Sequence, residues 1–170
     1  IRLYPWAPGR GIAPESVEII RLHPGAGPRH LVFSPDGRTL HVANELDNTV
    51  SSFVLRNGKW AHAQTIRPMK ETPKTRSYPG AIRMTGDGAF VFVSNRGHNS
   101  IAVIETGADG AMKLIDTVGC NGDFPRDIAL SPDETILIAA NEKSGTVTCF
   151  SFNRKEKKLS PEKEELPIPK

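Results

Sequence analysis

Apolar and polar positions alternate with a period of two along most of this chain, which points to half-buried strands rather than helices. In PRHLVFSPDGRTLHVANELDNTV, Pro28 to Val50, the apolar pair Leu31 and Phe33 leads into Pro35-Asp36-Gly37, and Leu40 and Val42 lead out of it. Pro-Asp-Gly sets a tight turn, because proline fixes one backbone angle and glycine accepts a positive one. The pattern predicts strands over residues 29–33, 39–44, 49–55 and 59–66.

The unit recurs. Segments beginning at Pro28, Pro79 and Pro125 align without a gap for 26 residues, with turns at Pro35–Gly37, Gly86–Gly88 and Pro132–Glu134. The turn aspartates, Asp36, Asp87 and Asp133, are 51 and 46 residues apart. Ile82 and Met84, then Ile128 and Leu130, repeat the apolar pair before the turn; Val91 and Val93, then Leu137 and Ala139, repeat the pair after it. Asn44, Asn95 and Asn141 fall in register, as do Val50, Ile101 and Val147. The intervening positions His41, Phe92 and Ile138 are mostly apolar too, so each sheet needs cover on both faces. Four-stranded sheets stacked radially supply that cover, and a period of about 40–50 residues suits a propeller blade.

The expected fold is therefore all-β: a β-propeller of four-stranded antiparallel blades, here about three blades plus part of a fourth from a larger ring. Residues 1–22 hold the last strands of a preceding blade (2–6 and 17–22), and blades follow over 23–70, 71–118 and 119–170. The last of these ends in a frayed or truncated outer strand over 158–169. Open sheet edges at both ends give such a piece a route to self-association.

Composition adds exclusions. With 15 Gly, 14 Pro and 38% apolar residues the chain suits many turns, and its net charge of +3 is too balanced to indicate a nucleic-acid partner. The basic stretches 67–76 and 154–158 read as solvated loops, and no apolar run approaches the length of a membrane span. The two cysteines, Cys120 and Cys149, form no metal-binding spacing, and Cys149 inside an apolar run reads as a buried free thiol. No nucleophile elbow, dinucleotide fingerprint or metal tetrad is present, so no metal and no cofactor is expected.

The repeats diverge at two charged positions. Directly after the shared Pro come Arg29, Gly80 and Arg126; directly after the shared Asn come Glu45, Arg96 and Glu142. Equivalent positions of a propeller project onto one face of the ring, so these side chains should line one end of the central channel. His30 and His98 are candidates beside them, whereas His23, His41 and His62 have no repeating partner. The shared Asn reads as structural, bonding nearby backbone. Arginines hold anions and stabilise a developing oxyanion, and a glutamate or histidine activates water. Opening or closing a ring ester on an acidic small molecule suits both halves of that set.

Gly25 to Val50 (GAGPRHLVFSPDGRTLHVANELDNTV), Ser94 to Ile101 (SNRGHNSI) and Phe124 to Val147 resemble the seven-bladed propeller lactonases, which include the propeller-type 6-phosphogluconolactonases and carboxymuconate cyclase. The resemblance covers nearly the whole chain and matches the C-terminal half of the family pattern. PRH followed by NEL, then NRGH, carries most of its specificity. It implies hydrolysis of a sugar-acid lactone, most directly 6-phosphoglucono-δ-lactone, in a cytoplasmic setting without a metal or cofactor. It assigns Glu45, Arg29 and Arg96 as catalytic, with His30 and His98 of the same motifs as secondary, substrate-binding candidates; the repeat alignment adds Arg126 as a further substrate-binding candidate. The partner is a small anionic lactone, with neither nucleic acid nor membrane. Glu142 stands where many relatives have glutamine, and a histidine that the family draws from an earlier blade has no counterpart here. The alternatives are a ligand- or protein-binding propeller without catalysis and a muconate-type lactone-forming cyclase.

Overall fold

The computed structural model describes residues 1–71 and 76–167, with side chains described as far as residue 162. Three four-stranded antiparallel sheets follow one another along the chain. The first comprises β5 (Pro28–Phe33), β6 (Thr39–Asn44), β7 (Thr49–Arg56) and β8 (Lys59–Ile66). The second comprises β9 (Tyr78–Met84), β10 (Phe90–Arg96), β11 (Ser100–Thr106) and β12 (Met112–Gly119). The third comprises β13 (Pro125–Leu130), β14 (Ile136–Asn141), β15 (Thr146–Asn153) and β16 (Lys158–Pro167). In each, neighbouring strands are consecutive in sequence, the meander of a propeller blade. The first-blade strands expected from the alternation differ from these by at most one residue at an end.

The turn between the first two strands is built alike in every blade. Asp36, Asp87 and Asp133 each accept a bond from a hydroxyl two residues earlier and from a backbone N–H two residues later. The residue after the aspartate takes a positive φ, at Gly37, Gly88 and Glu134 alike. The shared asparagines do not bond their own loop as expected. Asn44 Nδ2 donates to the hydroxyls of Thr49 and Ser51, and Asn141 Nδ2 to those of Thr146 and Thr148. Asn95 reaches Ser100 Oγ and the Pro68 carbonyl. Each thus pins the end of its strand to the next one and fixes where the following side chain starts.

Blades pack face to face. Ala43 and Val50 of the first blade meet Ile82, Val91, Val93 and Ile104 of the second in one buried cluster. A larger cluster joins the second blade to the third, with Phe90, Phe92 and Phe152 in edge-to-face contact. The far face of the first blade packs Leu40, Val42 and Phe53 on Ile20 and its neighbours.

The ends differ from expectation. The upstream strands are short: β1 (Arg2–Leu3) pairs with β4 (Glu18–Ile19) over two residues, with a hairpin of β2 (Trp6–Ala7) and β3 (Gly11–Ile12) between them. Pro5 and Pro8, which supply no ladder donor, bracket β2. β16 pairs with β15 from Asn153↔Lys158 to Thr146↔Pro167, with a register shift between Thr148 and Phe150. Cys120, not Cys149, is the fully buried thiol, and burial raises its pKa. Arg154 and Lys157, in a stretch expected to be solvated loop, pair with Asp87, Glu134 and Glu105. Of the other basic stretch, Pro68 and Met69 are buried and Lys70 bonds Asp116 at 2.7 Å, while residues 72–75 lie outside the described residues. No helix among the described residues is long and apolar enough to cross a membrane.

Candidate active site at the bulged end of the inner strands

Each inner strand carries a register shift at the same place. Pairing jumps between Pro28 and His30 in the first blade, between Val93 and Asn95 opposite Pro79 to Ile82 in the second, and between Pro125 and Asp127 in the third. The residue after the shared Pro therefore falls in a β-bulge in every copy. Bulges re-aim side chains and concentrate beside active sites. Here they act on Arg29, Gly80 and Arg126, while the pinned asparagines present Glu45, Arg96 and Glu142 from the adjoining strand.

Glu45 is the shared acceptor. Its Oε1 takes a 2.7 Å bond from Arg96 Nη2, which crosses from the second blade, and its Oε2 lies 3.8 Å from Arg29 Nε of its own blade. The two arginines differ in exposure. Arg96 is buried, 5% exposed, with a second bond from Nη2 to the Pro79 carbonyl at 3.2 Å and its guanidinium 5.5 Å from the Phe124 ring centre. Arg29 keeps 19% of its side chain exposed and makes no short bond to a carboxylate among the described residues. Burial, followed by the charge of Arg96, lowers its pKa, and Glu45 opposes that shift.

His30 lies against Arg29, whose Nη1 is 3.2 and 3.3 Å from the two ring nitrogens. Burial, then the positive charge of Arg29, pushes the imidazole below its ordinary pKa. Arg126 lies in the field of Arg29 and Glu45 but is tied at 2.7 Å to Glu142, both side chains about half exposed. A second charged pair on the inner strands joins Arg83 Nη2 to Asp127 Oδ1 at 2.8 Å. His98 turns to Ser100 Oγ at 2.7 Å, and none of its described bonds reaches Glu45 or either arginine.

The expected residues thus separate. Arg29, Glu45, Arg96 and His30 form one connected group, Arg126 stands at its rim, and His98 serves its own loop. Sequence reasoning overlooked Gly80, where an added β-carbon would stand 3.1 Å from Arg96 Nε, and Phe124, whose ring lies under the Arg96 guanidinium. Gly80 was visible only as the place where one copy lacks an arginine. No group of three or more potential metal ligands occurs among the described residues.

Three consecutive four-stranded meander sheets, with a carboxylate bonded by one arginine and faced by a second at one end, define part of a β-propeller with a charged polar site. The chain belongs to the seven-bladed β-propeller lactonase family, whose model matches residues 1–170. It is 35% identical over 140 residues to 6-phosphogluconolactonase of Bacillus subtilis, covering 81% of this chain and 40% of that one. A Lactobacillus plantarum protein superposes with a TM-score of 0.84 at 33% identity, covering 93% of this chain and 46% of its own. A periplasmic gluconolactonase of Pseudomonas aeruginosa superposes with a TM-score of 0.82 at 26% identity, covering 97% and 47%. The chain spans less than half the length of these relatives.

Proposed function

We propose that the complete protein hydrolyses a sugar-acid lactone, with 6-phosphoglucono-δ-lactone as substrate, and that the group around Glu45 does the chemistry. The observation that carries this reading is one carboxylate facing two guanidiniums of unequal freedom. Glu45 takes the proton from a water attacking the ring carbonyl. The water oxygen bonds to the carbonyl carbon, the single bond from that carbon to the ring oxygen then breaks, and the proton passes to the departing ring oxygen. Arg29, the more exposed cation, polarises the carbonyl and holds the substrate's anionic group. Arg96 was expected to share that task; its burial and its bond to Glu45 favour holding the base instead. His30 orients the Arg29 guanidinium beside it, and Arg126 attracts anions to the rim. A cytoplasmic setting and a role in carbohydrate metabolism belong to the same proposal.

The test follows acid release from 6-phosphoglucono-δ-lactone by the complete protein, with spontaneous hydrolysis subtracted. Enzyme-dependent turnover, faster than with the unphosphorylated lactone, is expected. No excess over the spontaneous rate with either lactone would reject lactone hydrolysis and favour a binding propeller.

A further inference from the structure

Arg96 reaches its partner across a blade boundary, and two neighbours make that reach possible. At Gly80 a β-carbon would stand 2.8 Å from Ser94 Oγ, 3.1 Å from Arg96 Nε and 3.4 Å from the Pro125 carbonyl oxygen. The flanking repeats carry arginine at this bulge position, and such a side chain would begin in the space the Arg96 guanidinium needs. On another side, the Phe124 ring centre lies 5.5 Å from Arg96 Cζ, and the Lys143 ammonium lies 4.2 Å from the same ring. Phe124 holds φ at +66°, a conformation that bulky residues avoid, where the first repeat has Gly27 at +63°. Two backbone bonds hold it there: its N–H donates to Asn99 Oδ1 at 2.9 Å, and its carbonyl accepts from Glu142 N–H at 3.0 Å. Strained backbone of this kind persists where the surroundings enforce it, and it clusters at functional sites.

We propose that Gly80 and Phe124 are positioning residues, which seat Arg96 so that its guanidinium crosses to the neighbouring blade and fixes the Glu45 carboxylate. The kinetic consequence rests on the lactonase reading. Without the seat Glu45 has no short ion-pair bond, since Arg29 stands at 3.8 Å. A base displaced by about 1 Å costs up to roughly 10²-fold in rate. The loss falls on kcat, because neither residue touches the substrate.

The experiment places Gly80→Ala, Phe124→Leu and Phe124→Tyr in the complete protein, each with and without Glu45→Gln. Gly80→Ala and Phe124→Leu are expected to lower kcat about 10- to 100-fold with KM little changed. Phe124→Tyr, which keeps the ring, restores most of the rate. In the Glu45→Gln background the same substitutions cost nothing further. Losses that multiply with Glu45→Gln, or a rise in KM with kcat intact, would overturn the proposal; the latter would place Arg96 on the substrate. Should the unsubstituted protein lack turnover, the lactonase reading fails by itself and the seat is read from thermal melts. There Gly80→Ala and Glu45→Gln are expected to be coupled, and additive shifts would reject the seat.

Discussion

The two blade boundaries solve the same packing problem with different chemistry. Between the second and third blades, Phe92 is fully buried and meets Phe152 edge to face, with ring centres 4.9 Å apart. Between the first and second, the same strand position is His41, also fully buried, with Nδ1 unpartnered among the described residues and Nε2 3.4 Å from Thr39 Oγ1. At the turn end the contrast repeats. Arg154 bonds the Asp87 carboxylate with both terminal nitrogens, pairs with Glu134 and lies over the Phe90 ring. Glu134 also accepts the Gly86 N–H. Counting from the shared turn, the residues of the second blade equivalent to Glu134 and Arg154 are Gly88 and Ala108. Both line an open cleft of about 300 Å³ between the first two blades, beside Asp36, the counterpart of Asp87. One boundary is closed by rings and a charged clamp. The other combines the aliphatic cluster around Val50, Val93 and Ile104 with backbone-directed bonds such as Ser52 Oγ to the Gly110 carbonyl at 2.5 Å and the Met112 N–H to Gln64 at 2.6 Å. A repeat thus conserves its scaffold while single side chains decide how firmly neighbours are joined.

The largest test of the difference is Phe92→Ala, expected to destabilise the complete protein by about 3–5 kcal/mol through the cavity it leaves. His41→Ala at the matching position should cost clearly less in the same denaturant titration, because it also removes a buried polar group that lacks a full set of partners. Equal losses would dissolve the distinction.

Acid sharpens the comparison from the other boundary. Burial holds His41 at a pKa of about 4, against 6.5 for the free side chain. Between those values the unfolded chain binds a proton that the folded chain refuses. The contribution of His41 is therefore fully present above pH 6.5 and is lost as the pH falls toward 4, by an amount on the order of 3 kcal/mol. His41→Phe should flatten the melting temperature across this window, and an unchanged slope would remove His41 as its source.

The smallest effect belongs to the clamp. Arg154→Ala should cost about 1 kcal/mol or less, since its partners are partly solvated, and the loss should shrink in high salt. Installing its counterpart, Ala108→Arg, should recover a few tenths of a kcal/mol against Asp36. A destabilising Ala108→Arg would show that the cleft is not the clamp's empty seat.

Much of this architecture was legible in the sequence because strands and turns are local: period-two alternation and the three aspartate turns need no distant contact. The meeting of Arg29, Glu45 and Arg96 was legible for a different reason, since three aligned copies show which positions share a face. What stayed hidden depends on geometry between blades. Nothing local marks Gly80 as the opening through which Arg96 passes, because a glycine in a repeat reads as an absent side chain. The positive φ of Phe124 runs against its own preference and is imposed by Asn99 and Glu142. The RKEKK stretch reads as solvated loop until Asp87 and Glu134 are brought beside it. His98 shares a motif with Arg96, yet its ring follows the nearest hydroxyl, Ser100, rather than the site.

The central claim is that Glu45, held by Arg96 and faced by Arg29, is the base of lactone hydrolysis. The most direct measurement is turnover of 6-phosphoglucono-δ-lactone by the complete protein and its Glu45→Gln variant, compared at equal thermal stability. A fall in kcat of about 10²–10⁴-fold with KM nearly preserved is the expected result. Unchanged turnover in a folded Glu45→Gln protein would contradict the account and move the chemistry away from this end of the ring.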